Sequence, residues 1–95
     1  MKLLILNGKI WKYQSTAAWY FLSSKKEQQE EIRSHQKVRK GWGAIPVTVT
    51  IGESTWKTSL FPSKDGTYLL PIKASVRKAQ GIGEGDRIEA RCVFS

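Results

Sequence analysis

The chain has 95 residues, enough for one domain and near the low end of what folds without disulfides or metals. Sixteen Lys and Arg against eight Asp and Glu give a formal charge of +8, and the single cysteine, Cys92, excludes an intrachain disulfide. Four Trp, three Tyr and three Phe must therefore supply the bulk of a small core.

Met1-Lys2 is followed by only four apolar residues, Leu3 to Leu6. That is too short for a signal peptide and far short of the ~20 apolar residues of a membrane span. The expectation is a soluble, cytoplasmic protein with no membrane partner, folded as a single domain over residues 1–95. A lone cysteine fits a reducing compartment. The basic excess lies in the first half: residues 1–47 hold nine basic and three acidic side chains, residues 48–95 seven and five. Such a surface attracts polyanions, and it also serves solubility.

Leu3 to Tyr13 reads as a first strand, apolar on both faces at its start, with Gly8 suggesting a bulge or bend. Gln14-Ser15-Thr16 is a turn, and Ala17 to Leu22 is an aromatic-rich second strand. Ser24 then opens a helix, with Glu27 three residues on as the return half of a capping box. The helix is expected to reach His35 or Gln36. Its only large apolar residue is Ile32, so it has no apolar stripe. A helix of this kind is solvated, frays, or packs against a partner.

Val38 to Gly43 forms a basic, glycine-flanked loop carrying Trp42. The third strand has the cleanest signal: Ile45, Val47, Val49 and Ile51 alternate with Pro46, Thr48 and Thr50. Pro46 cannot donate to a ladder, so the strand start is an edge or a bulge on that side. After Gly52-Glu53, strand four runs from Thr55 to Phe61, with Trp56, Thr58 and Leu60 on one face. Asp65-Gly66 marks a hairpin turn into strand five, Thr67 to Leu70. Ile72 to Gln80 is a short helix with Ile72, Val76 and Ala79 on one stripe, stopped by Gly81. The last strand turns Ile88, Ala90, Cys92 and Phe94 inward.

The predicted order is β-β-α-β-β-β-α-β. This is a mainly β (α+β) chain, a small barrel-like sheet of about six strands whose ends are closed by two short helices. A strand, a helix, a glycine loop and a strand occur twice, which suggests two halves related by an approximate two-fold axis.

Several features of Gly41 to Asp86 carry a family resemblance: Gly41-Trp42-Gly43, Ile45-Pro46-Val47, Trp56 to Pro62, Tyr68-Leu69-Leu70-Pro71, Val76-Arg77, Gly81 and Gly85-Asp86. These motifs, in order and at matching spacing, resemble the bacterial family called domain of unknown function 1905. The resemblance implies a double-split β-barrel, a pseudobarrel capped by helices. Thr67 to Ala90 also resembles the strand-Pro-helix-Gly-strand unit of the AbrB and MazE swapped-hairpin transcription factors. Thr67 stands where their DNA-binding members carry an Arg.

No catalytic constellation is expected. His35 reads as a solvated surface side chain, and Cys92 as a buried, inert thiol. Together they make neither a zinc site nor a nucleophile-base pair, so no metal, no cofactor and no enzyme activity are expected. Gly81-x-Gly83-x-Gly85 follows a helix and precedes a strand, the reverse of a phosphate loop, and reads as a turn. The leading candidate site is the loop Arg39-Lys40-Gly41-Trp42, extended by Lys57, Lys73 and Arg77. Cations beside an aromatic ring suit nucleic acid or another polyanion. The alternative is a small-molecule or protein-partner module with a pocket at Trp56 and Tyr68. Either way the expectation is a binding or accessory module, monomeric or weakly dimeric.

Overall fold

The alternation at the middle of the sequence becomes the middle of the sheet. In the computed structural model, which describes residues 3–13, 19–35 and 43–95, Ile45–Ile51 is a strand that buries Ile45, Val47, Val49 and Ile51. β-Branched side chains at period two suit a pleated surface with one face on a core. In chain order the elements are β1 (Leu3–Lys9), β2 (Trp11–Lys12), β3 (Tyr20–Ser23), a 3-10 turn (Lys26–Gln28) running into α1 (Gln29–Arg33), β4 (Ile45–Ile51), β5 (Ser54–Pro62), β6 (Tyr68–Pro71), α2 (Ala74–Gln80) and β7 (Arg87–Phe94).

The sheet order is β1-β7-β4-β5-β6-β3-β2, and every pairing is antiparallel. Because β2 continues β1 through Ile10, the two ends of that order meet, and the sheet is nearly closed. The aromatic core expected from composition is corrected: Leu4, Leu6, Leu22, Val47, Val49, Leu60, Leu70 and Cys92 fill the interior, and among the described residues Tyr68 is the one buried aromatic. Among the described residues no helix is long and apolar enough to cross a membrane.

The two strand-helix-strand halves hold matching places. β3 pairs with β6 and β4 pairs with β7, so each half meets the other through both its strands. β5 pairs with β4 and then with β6; β1 and its continuation β2 pair with β7 and then with β3. Exchanging the halves leaves this pattern unchanged. Leu22 and Leu70 face each other across the β3–β6 ladder, and both are fully buried.

Several local expectations are corrected. The first strand breaks at Ile10, not at Gly8, which sits in register opposite Ile88. Ile10 donates its N–H to the Asp86 carbonyl (2.9 Å), and its own carbonyl accepts from Gly85 N–H (2.8 Å). Those bonds go to the turn before β7, so the chain leaves the β7 ladder there and β2 is free to join β3. β3 is shorter than predicted, and residues 14–18 lie outside the described residues. Ser24 does not cap a helix. Its hydroxyl accepts from Tyr68 N–H (2.8 Å), and its N–H donates to the Tyr68 carbonyl (2.8 Å). The start of the helical segment is closed instead by Gln28, whose Oε1 accepts from Lys25 N–H (2.9 Å). Helix α1 ends at Arg33 and buries Ile32 alone.

β4 lies between β7 and β5, yet on the β7 side its start is unpaired at Pro46, as the missing donor requires. Pro46 falls just past the β4–β7 ladder, which begins at Val47–Phe94, and its carbonyl accepts from Ser95 N–H (3.2 Å). Helix α2 starts at Ala74 rather than Ile72, and Ala79 is exposed, so Val76 is its one buried residue, with Ile72 buried just before it.

Candidate functional site

An open cleft of about 460 Å³ lies where β5, β6 and the start of α2 come together. Trp19, Tyr20, Trp56 and Phe61 supply its aromatic walls, with Pro71 and Ile72 behind them. Lys57, Lys73 and Arg77 also line it, and none of the lining residues is acidic.

Arg77 is the best-held of these cations. Its guanidinium lies 3.7 Å from the centroid of the Tyr20 ring, and its Nε donates to the Ile72 carbonyl at 3.1 Å. Lys12 Nζ sits 5.9 Å from the same ring centroid. Lys73, which precedes α2, is exposed and one helical turn from Arg77.

A second space of about 340 Å³ adjoins the first, sharing Trp19 and Phe61 with it; Tyr13, Phe21 and Leu69 complete its lining, and none of these residues is charged. The β2–β3 hairpin builds this surface. Phe21 pairs with Trp11 in register and points away from the side that buries Leu22. The rings of Trp11 and Phe21 are 5.1 Å apart, Tyr13 meets Phe21 edge-on at 6.4 Å, and Trp19 lies nearly parallel to Phe21 at 6.1 Å. Tyr13 N–H donates to the Trp19 carbonyl (2.8 Å), and Trp11 Nε1 donates to Ser23 Oγ (2.9 Å). Despite this support Trp19 is 52% exposed and Tyr13 51%. Large rings left in water on a braced hairpin are the informative departure from ordinary burial.

Of the residues predicted from sequence, Trp56, Lys57, Lys73 and Arg77 converge on the first cleft. Arg39, Lys40 and Trp42 lie outside the described residues. Tyr68 is buried in the core and lines neither of these two clefts. Trp19, Tyr20 and Phe61 were missed. The alternation of Trp19 and Phe21 against Tyr20 and Leu22 was the available signal, because two large rings cannot both face a core filled from the other side.

His35 is also corrected. It is half-buried, and its ring stacks on Phe94 at 3.8 Å between centroids and 3° between planes. Cys92 is fully buried, and desolvation pushes its thiol up to about 12. No three His, Cys, Asp or Glu side chains among the described residues gather into a metal-binding group. The Gly81–Gly85 segment is a turn, closed by Gly83 N–H donating to Asp86 Oδ2 (2.8 Å).

Fold and surface together define a small, strand-dominated barrel module with an open aromatic cleft and cations in its walls. The chain belongs to the family described as domain of unknown function (DUF1905), whose model matches residues 7–91. That span includes every residue lining the two clefts. No curated protein matches the sequence.

Proposed function

We propose that this protein is a non-enzymatic binding module that takes single-stranded nucleic acid along the Trp19–Trp56 cleft. One observation carries the reading: a half-exposed Trp19 stands beside Lys57, Lys73 and Arg77 in a lining without acidic residues. Rings of this kind stack bases, and the cations meet phosphates. Paired bases cannot reach such rings, so the strand must be single. The formal charge of +8 favours encounter with a polyanion.

The test is fluorescence anisotropy of labelled ten-nucleotide DNA and RNA at ~50 mM salt, where electrostatic affinity is greatest. Binding is expected to weaken with added salt, with Trp19→Ala and with Lys73→Glu. Absence of binding to every oligonucleotide at that salt would end the reading. Heparin serves as a control for charge alone, since it offers anions without bases.

A second reading, a module for a protein partner or a small molecule, is favoured by the uncharged space between Tyr13 and Leu69. In that case Trp19→Ala removes the interaction while Lys73→Glu leaves it unchanged, which the nucleic-acid reading does not allow.

A further inference from the structure

We infer that the site takes a short footprint of about two to three nucleotides, with backbone and base sorted into separate spaces. The inference rests on the nucleic-acid reading and adds to it the length and polarity of the ligand. All three cations of the site line the first cleft, and the second is lined by uncharged residues only. Trp19 and Phe61 belong to both, so the two spaces are continuous. Their volumes, about 460 and 340 Å³, fall in the ~300–1,000 Å³ range of sites that hold one small ligand unit.

Successive phosphates of a strand crossing the first cleft can therefore lie along Lys57, Lys73 and Arg77, one at each cation. The next base is carried past Trp19 into the uncharged space, where a phosphate would find no counter-charge. Arg77 is already fixed by Tyr20 and the Ile72 carbonyl, so little side-chain freedom is lost when the phosphate arrives. The charge term is small. Three cations predict a salt slope near −2 in log K against log [salt], from about −0.7 per neutralised phosphate on a single strand.

The experiment is a length series of oligothymidylates, from the 5′-mononucleotide to ten residues, titrated against the full chain at several salt concentrations. Affinity per binding register is expected to reach its plateau by three to four nucleotides, and the slope on the ten-mer to stay near −2. Replacing one base of a trinucleotide with an abasic residue is expected to weaken binding about tenfold, as loss of one base-aromatic stack does. Affinity per register that still rises beyond six nucleotides, or a slope steeper than about −4, would overturn the short footprint while leaving nucleic-acid binding intact. Equal affinity for the mononucleotide and the trinucleotide would overturn it too, because the second space is then unused. Failure to bind any member of the series removes both this inference and the function it rests on.

Discussion

The guanidinium of Arg77 sits 3.7 Å from the centroid of the Tyr20 ring, so the central residue of a seven-residue helix is held by the first residue of a strand. This contact joins the two halves of the barrel and orients a cation in the cleft. Lys at position 77 keeps the charge but loses the planar stack and the Nε donor to the Ile72 carbonyl. Arg77→Lys is therefore expected to lower stability by about 1 kcal/mol. The measurement is a urea unfolding curve, read as a lower midpoint with unchanged slope. A variant as stable as the parent would show that the stack contributes nothing.

Ser24 offers a sharper test, because its partner has few alternatives. Its hydroxyl accepts from Tyr68 N–H at 2.8 Å in a buried setting. Ser24→Ala leaves that amide without this acceptor, and the expected loss is about 1–3 kcal/mol. Ser24→Thr retains the hydroxyl and is expected to recover much of it. Amide exchange at Tyr68 should quicken in the alanine variant and not in the threonine one.

These two contacts also show where the sequence could be read and where it could not. β4, β5 and β7 were legible because period-two alternation is a local signal, carried by Val, Ile and Thr in β4, by Trp56, Thr58 and Leu60 in β5, and by Ile88, Ala90 and Cys92 in β7. So were the Asp65-Gly66 turn and the Gly81 stop. The break at Ile10 was not legible, since both its backbone groups are satisfied by Gly85 and Asp86 at the far end of the chain. Ser24 reads locally as a helix cap, yet its hydroxyl is taken by a residue 44 positions away. The cleft was half legible. Lys57, Lys73 and Arg77 declare themselves by charge and Trp56 by size. That Trp19 and Phe61 join them, while Tyr68 turns into the core, follows from the β3–β6 and β5–β6 pairings and not from any nearby residue.

Two glycines with similar backbones separate strain from steric contact. Gly52 (φ 59°) and Gly81 (φ 64°) are both left-handed. A Cβ on Gly81 would meet nothing within 4 Å, whereas one on Gly52 would run into the side-chain amide of Gln80. That amide donates to Ser54 Oγ at 2.8 Å. Gly81→Ala is expected to cost about 1 kcal/mol of left-handed strain alone. Gly52→Ala should cost that and a further ~0.5–1.5 kcal/mol, as Gln80 is pushed from its hydrogen bond. In a Gln80→Ala background the excess should disappear, and a double-mutant cycle by urea unfolding measures it. An excess that survives removal of Gln80 would mean that the turn itself, not the contact, is responsible.

Cys92 gives the chain a predictable alkaline limit. Burial pushes the folded thiol up to about 12, well above the ordinary thiol value. The folded state therefore keeps its proton over a pH range in which the unfolded state releases it. Below pH ~8 both states are protonated, and the group adds no pH dependence. As pH rises from about 9 towards 12 the unfolded state binds fewer protons, so stability falls with a slope approaching ~1.4 kcal/mol per pH unit from this one group. Lysines and tyrosines titrate in the same range, so the measurement must be a difference. Unfolding free energies of the parent and of Cys92→Ala are compared at pH 8, 9, 10 and 11. The alanine variant is expected to be less stable at pH 8, because it leaves a small cavity beside Leu4 and Val49, which face Cys92 in the two flanking ladders. The gap between the two curves should then narrow steadily above pH 9. Reaction with a thiol reagent at pH 8 supplies the companion test: labelling should be negligible in the folded protein and prompt in urea. Parallel stability curves up to pH 11, or rapid labelling of the folded chain, would mean that the thiol is not sealed in the barrel.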